Sequence, residues 1–383
     1  MQEMHSEQNP LLRLESFGQS IWLDFISRDV IESGNLKCWI DEDGLSGVTS
    51  NPSIFEKAMV NSHTYDNAVD KLVAEGKTAV EIFGSESIQD IQRAADLFRP
   101  VYNRKDGKDG FFSVEVSPGV ARDTQASLEE ARGLWKAAAR PNVFVKVPGT
   151  KEGLPVIEQL ISEGVNVNIT LLFGLPRYRE VVEAYLSGLE TRVKQGLPIE
   201  RVASVASFFL SRIDTLVDPK LEAIQIQGGE NAALATRAHG QVAIACAKIA
   251  YEIFHELTTT ERFVALAEKG ARVQRLLWAS TSTKNPAYSD VKYVDALIGP
   301  DTIDTIPLET LDAYRDHGDP ALRLTEGLAE AHEVLDSLPR LGIDIDQVTQ
   351  QLEDEGIQKF SQAYNQLMDS LEKKRLAVAQ AQK

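Results

Sequence analysis

The chain has 383 residues, 43% hydrophobic and 25% charged, the balance of a globular protein rather than a disordered or fibrous one. Its formal charge of −17 argues against nucleic acid or an anionic membrane as a partner, so an anionic substrate must be held by local Arg or Lys against the global field. Two cysteines, Cys38 and Cys246, without CxxC or metal-type spacing, fit a reducing cytoplasm and speak against a disulfide or a structural zinc.

Residues 1–10 are polar and lack an apolar signal core, and no run approaches membrane-spanning length; a cytoplasmic protein is expected. An amphipathic lead-in over 11–20 precedes a first predicted strand at 20–25 (SIWLDF). A short helix over 28–34 closes on Gly34. The second strand is expected at 45–51 (LSGVTSN), followed by Pro52 and helices near 54–60, 64–75 and 78–98. Strand three is FFSVEV at 111–116, and Asp123 caps a helix reaching about 139. VFVKV at 143–147 is the fourth strand and 165–171 the fifth, separated by a helix near 154–163. Pro176 opens a further amphipathic helix. The sixth strand is placed at 201–210, the seventh at 273–281 and the eighth at 302–306. Between the sixth and seventh lies a helical insertion over about 213–271, with a main helix at 231–257. The C-terminal part, about 309–383, reads as helices at 320–338 and 345–355 and a last one with Ile357, Phe360, Tyr364, Leu367 and Leu371 on one stripe.

Eight strands separated by stretches of helical length imply parallel crossovers, and eight is the closing number of a (β/α)8 TIM-type barrel. No linker, repeat or low-complexity run divides the chain, so one α/β domain over 1–383 is expected. Strands of a parallel barrel usually read as continuous apolar runs, yet several of these alternate. Asn166, Asn168 and Thr170 oppose Val165, Val167 and Ile169; Ser113 and Glu115 oppose Phe112 and Val114; Asp24 opposes Leu23 and Phe25. An antiparallel sheet with one wet face would give the same alternation, but the long connections count against it. In a barrel, Asp24, Asn51, Glu115, Lys146, Asn168, Thr170 and Ser207 all fall toward the C-terminal strand ends, where barrel enzymes carry their sites.

Lys146 stands in the middle of a β-branched run. Such a lysine is paired, snorkels out at the strand's end, or works as a neutral amine. Taken singly, each polar residue has a structural reading: Asn51 as turn chemistry before Pro52, Ser207 as packing, a strand-end carboxylate as a partner of backbone N–H. Taken together, an amine, two carboxylates and several amide and hydroxyl groups on one rim suit nucleophilic catalysis. A neutral amine attacks a ketone to give a carbinolamine and then a Schiff base, with carboxylates moving the protons. This chemistry calls for no metal or other cofactor.

The motifs WLDF with Asp24, GVTSNPSIF with Thr49 and Asn51, SVEVSP with Glu115, VFVKVPGTKEG with Lys146, GVNVNITLLF with Asn168 and Thr170, and ASVASFFLSRID with Ser207 and Arg212, taken in order, resemble those of the transaldolases. The longer form with an extended helical C-terminus is the nearer likeness. The resemblance implies a class I aldolase-like barrel that transfers a dihydroxyacetone unit from sedoheptulose 7-phosphate to glyceraldehyde 3-phosphate, within the pentose phosphate pathway. It implies Lys146 as the Schiff-base nucleophile and Asp24 as the base at the hydroxyl beside the broken bond. Glu115 and Thr170 would hold a proton-shuttling water. Asn51, Asn168 and Ser207, with Thr49 behind them, would bind the dihydroxyacetone hydroxyls. Phosphate would fall to Arg212 and to the loop bearing Ser280. There the chain departs from the best-known members, with Ser282 in place of an Arg two residues after Ser280; Lys284 then becomes the expected second anchor. Other readings are a Schiff-base aldolase acting on fructose 6-phosphate-like ketoses and a non-catalytic barrel that binds sugar phosphates. A monomer or a homodimer is compatible with the pattern.

Overall fold

The computed structural model describes residues 9–381; residues 1–8, within the polar N-terminal stretch, and 382–383 lie outside the described residues. Eight runs rich in β-branched and aromatic residues form strands β1 (Gln19–Leu23), β2 (Gly47–Thr49), β3 (Phe111–Glu115), β4 (Val143–Pro148), β5 (Val167–Leu172), β6 (Ser204–Phe209), β7 (Arg275–Ala279) and β8 (Thr302–Ile306). Each pairs in parallel with its successor, and β8 returns to β1, closing the barrel. The expected (β/α)8 architecture is present. In the register, Glu115 on β3 is level with Lys146 on β4, and Lys146 with Asn168 on β5.

Period-two alternation gives the interior its layers. Trp22 lies two residues before Asp24, Phe144 two before Lys146, and Phe111 four before Glu115. Their rings meet one another at centroid distances of 4.3 to 6.3 Å and plug the barrel beneath the polar layer. On β2 a residue larger than glycine would not fit beside this plug, since a Cβ on Gly47 would come 2.4 Å from the Trp22 ring. Val145, Val147, Val167 and Ile169 alternate with the polar set and are fully buried in the apolar core.

Several boundaries differ from the sequence expectation. β1 ends at Leu23 and β2 at Thr49, so Asp24 and Asn51 sit just past their strands. Asn51 caps the helix Pro52–Asn61, its side-chain oxygen accepting from the Ile54 N–H, and that cap ends the strand early. The expected helix at 231–257 is two, Ala232–Ala238 and Val242–Thr258. They part at Gly240, whose φ of +68° is left-handed and whose N–H donates to Asp218. The helix expected from 320 begins at Leu328, after left-handed Gly327. The two helices expected at the C-terminus are one, Ile345–Ala381, continuous through Gly356. Its stripe packs inward: Phe360, Leu367 and Leu371 are buried, while Ile357 and Tyr364 are half-buried, Tyr364 edge-on to Phe83. Tertiary packing of that stripe outweighs the roughly 1 kcal/mol that an interior glycine costs a helix. Among the described residues, no helix is long and apolar enough to cross a membrane.

Candidate active site

The C-terminal ends of the strands open on a cavity of about 480 Å³, lined among others by Asp24, Thr49, Asn51, Lys146, Ser207, Arg212, Ser280 and Lys284. The register of β3, β4 and β5 fixes its floor. The Lys146 Nζ sits 3.0 Å from Glu115 Oε2 and donates to the Ser50 carbonyl at 3.0 Å. Both side chains of this pair are about 95% buried. Of the three sequence readings of Lys146, the paired one describes the observed state, and the amine is also open to the cavity.

Two carboxyls face this amine electrostatically. Burial pushes both Asp24 and Glu115 above the ordinary carboxylate range, and the Lys146 charge pulls each back. Asp24 also accepts a hydrogen bond from the Thr49 hydroxyl at 2.7 Å, and Thr49 in turn meets Thr305 at 2.7 Å. The result is two carboxyls from different parts of the chain, Glu115 on β3 and Asp24 just past β1, flanking one amine.

Behind the cavity surface, Asn168 is fully buried, its amide donating to Ser113 at 3.1 Å and its carbonyl accepting from Ser207 at 2.6 Å. Ser207 therefore reaches the cavity with its hydroxyl oriented by Asn168. The Thr170 hydroxyl is buried without a hydrogen-bond partner, just before an irregularity in the β5–β6 pairing. There Leu171 takes a left-handed φ of +55°. Ser280, one residue past β7, does the same, and its hydroxyl meets that of Ser211 at 2.9 Å. Non-glycine residues in this region cost about 1–3 kcal/mol each and tend to mark functional rims.

Arg212 stands in the first turn of the helix Ser211–Gln227, which follows β6, rather than on a loop. Its Nη1 is buried without a hydrogen-bond partner, and burial holds the guanidinium below its ordinary pKa against the fields of Asp24, Glu355 and Glu115. Lys284 is exposed on the loop after β7, lines the cavity and donates to the Ser282 hydroxyl. All eleven residues singled out in the sequence thus lie at the C-terminal end of the barrel, eight on the cavity wall and Glu115, Asn168 and Thr170 behind it. Sequence reading passed over Ser50, whose contribution is a backbone carbonyl and carries no residue signature. It also passed over Thr305, Glu309 and Phe360, which line the wall as well.

The family model for transaldolase/fructose-6-phosphate aldolase matches residues 21–371. The chain belongs to that family. It is 48% identical to "Transaldolase 2" of Nostoc sp. (strain PCC 7120) over 371 residues, 96% of this chain and 97% of the relative. It is 47% identical to the transaldolase of Trichodesmium erythraeum, with the same coverage. With the transaldolase of Saccharopolyspora erythraea it shares 45% identity over 94% of this chain and 95% of the relative. The family's transferase chemistry suits a barrel whose mouth combines a buried amine with two carboxyls of raised proton affinity.

Proposed function

We propose that this member of the transaldolase family transfers a dihydroxyacetone unit from sedoheptulose 7-phosphate to glyceraldehyde 3-phosphate in the cytoplasm, giving erythrose 4-phosphate and fructose 6-phosphate. The observation that carries the reading is the Lys146 amine at 3.0 Å from buried Glu115 on the floor of a polar mouth. Lys146 attacks the ketone carbon, and the carbinolamine loses water to form an iminium, with Glu115 and the Thr170 hydroxyl handling the protons through a water. The iminium draws electrons from the neighbouring carbon–carbon bond as Asp24 takes the proton of the adjacent hydroxyl. That bond breaks, the aldehyde leaves, and an enamine remains on Lys146. The enamine attacks the acceptor aldehyde, Asp24 returns the proton, and water releases the new ketose. Asn51 and Ser207, the latter oriented by Asn168, bind the hydroxyls of the three-carbon unit. Thr49 orients Asp24.

Arg212, Lys284 and the N-terminus of the helix Ser211–Gln227 supply positive potential for the phosphate limb in a chain of net charge −17, and the Ser280 hydroxyl adds a hydrogen-bond donor. Acceptor dependence tests the reading. Turnover of sedoheptulose 7-phosphate should require glyceraldehyde 3-phosphate, with free dihydroxyacetone a minor product. Acceptor-independent release of dihydroxyacetone at the full rate would show an aldolase instead.

A further inference from the structure

The Arg212 guanidinium is held in an unusual way for a buried cation. Its carbon lies 5.7 Å from the centroid of the Phe209 ring and 5.9 Å from that of Phe360. Among the described residues, no hydrogen-bond acceptor or carboxylate lies within bonding distance of it, and Nη1 is buried and unpartnered. Two aromatic rings can hold a guanidinium through its delocalised charge while leaving its N–H donors unspent. A carboxylate partner would hold it more tightly but would compete with an incoming anion for the same donors.

Phe360 belongs to a different part of the chain from Phe209. It sits on the helix Ile345–Ala381, is 5% exposed and lines the mouth. One turn earlier on the same face, Gly356 brings this helix against the rim of β5. A Cβ there would meet Leu171 Cδ2 at 2.8 Å and lie 3.7 Å from Arg212 Nη1. Independent contacts fix the helix on both sides of Phe360. Asp354 pairs with Arg122, Glu353 lies 3.9 Å from Arg177, and Leu367 and Leu371 are buried beyond. Phe360 is therefore a firmly mounted ring whose cationic neighbour, Arg212, lines the mouth from the first turn of the helix after β6.

We propose that Phe360 is a positioning residue for Arg212 and, through it, selects substrates that carry a phosphomonoester limb. The proposal rests on the reading of Arg212 as a phosphate anchor, and it assigns the C-terminal helix a part in recognition rather than in chemistry. Replacing the ring frees the guanidinium to leave its pose, which weakens the phosphate limb and leaves the Lys146–Glu115 pair untouched.

The test compares Phe360→Leu and Phe360→Tyr with the unaltered protein. Phe360→Leu should raise KM for a phosphorylated ketose donor about three- to thirtyfold, the range expected for a partly desolvated cation–ring contact. Its kcat, and its kcat/KM for the unphosphorylated ketose fructose, should change less than about twofold. Binding of inorganic phosphate, measured by calorimetry, should weaken by a similar factor to KM. Phe360→Tyr, which keeps the ring, should behave as the parent. Equal losses on phosphorylated and unphosphorylated donors, or an unchanged phosphate affinity in Phe360→Leu, would overturn the proposal. Phosphate binding is read without turnover, so a failure of the Schiff-base reading would show separately, as the absence of a donor adduct on Lys146 in the unaltered protein.

Discussion

At Asp24 opposing effects meet in one side chain: burial raises its proton affinity most, while the Lys146 charge and the Thr49 hydroxyl, and less strongly Arg212, lower it. Burial is the largest, so the carboxyl titrates above its ordinary range, closer to the pH at which a base must work. Thr49 is the adjustable contribution. Thr49→Val removes a hydrogen bond to the charged form, so the Asp24 pKa rises further. With Asp24 as the proposed base, its ionised form is the one that supports bond cleavage, so the acidic limb of the kcat profile should move upward by about one pH unit, as expected for a hydrogen bond to a charged group. A limb that stays put or moves down would show that Asp24 does not set it. Glu115 shares the same physics but sits behind the cavity wall in direct contact with the amine, out of reach of a large substrate.

Among the elements, β3, β4 and β5 were legible because their alternation is chemically lopsided: valines on one side, and Glu115, Lys146 or Asn168 on the other. The strand count and the parallel closure followed from connection lengths. Boundaries were less legible where one residue serves two elements. Asn51 suits a strand end as well as a helix cap, and the hydrogen bond to Ile54 decides for the cap. The sequence pattern suggests a helix running through Gly240 and one ending before Gly356, and the structure shows the reverse. Gly240 takes a left-handed φ and divides its helix, whereas Gly356 stays helical because its missing side chain lets the helix approach Leu171. In the sequence Phe360 is one more member of an apolar stripe. Its place beside Arg212 depends on a contact between distant parts of the chain, which helical periodicity does not encode. Ser50 was illegible for a different reason, since its carbonyl serves Lys146 and any residue could supply one.

On the scale of the whole molecule, the barrel concentrates polar residues at one end and closes the other with the Trp22, Phe111 and Phe144 plug. Buried polar groups also lie away from the mouth, and Asp304 is one of them. Asp304 on β8 neighbours Thr305, which bonds Thr49, so alternation turns Asp304 away from the mouth. It is fully buried, neither oxygen has an aligned hydrogen-bond partner, and the nearby Thr281 hydroxyl donates to the Thr305 carbonyl instead. Burial pushes its pKa up to about 8, above the value of about 3.9 of an unfolded chain. The folded state therefore holds a proton that the unfolded state has lost between about pH 4 and pH 8. Any stability contributed by the protonated group is complete below the unfolded pKa and is lost as pH rises through the folded one, at up to about 1.4 kcal/mol per pH unit. Asp304→Asn should thus gain stability relative to the parent as pH rises from 5 to 8 in denaturant melts, with the difference levelling off above about pH 8. A difference independent of pH would mean that Asp304 does not titrate in this window. The central claim, that the polar end of the barrel is built around an amine nucleophile, is tested most directly by borohydride reduction in the presence of sedoheptulose 7-phosphate, followed by peptide mass mapping. The account predicts a reduced three-carbon adduct on Lys146, absent in Lys146→Ala; an adduct on another lysine, or donor cleavage that survives in Lys146→Ala, would contradict it.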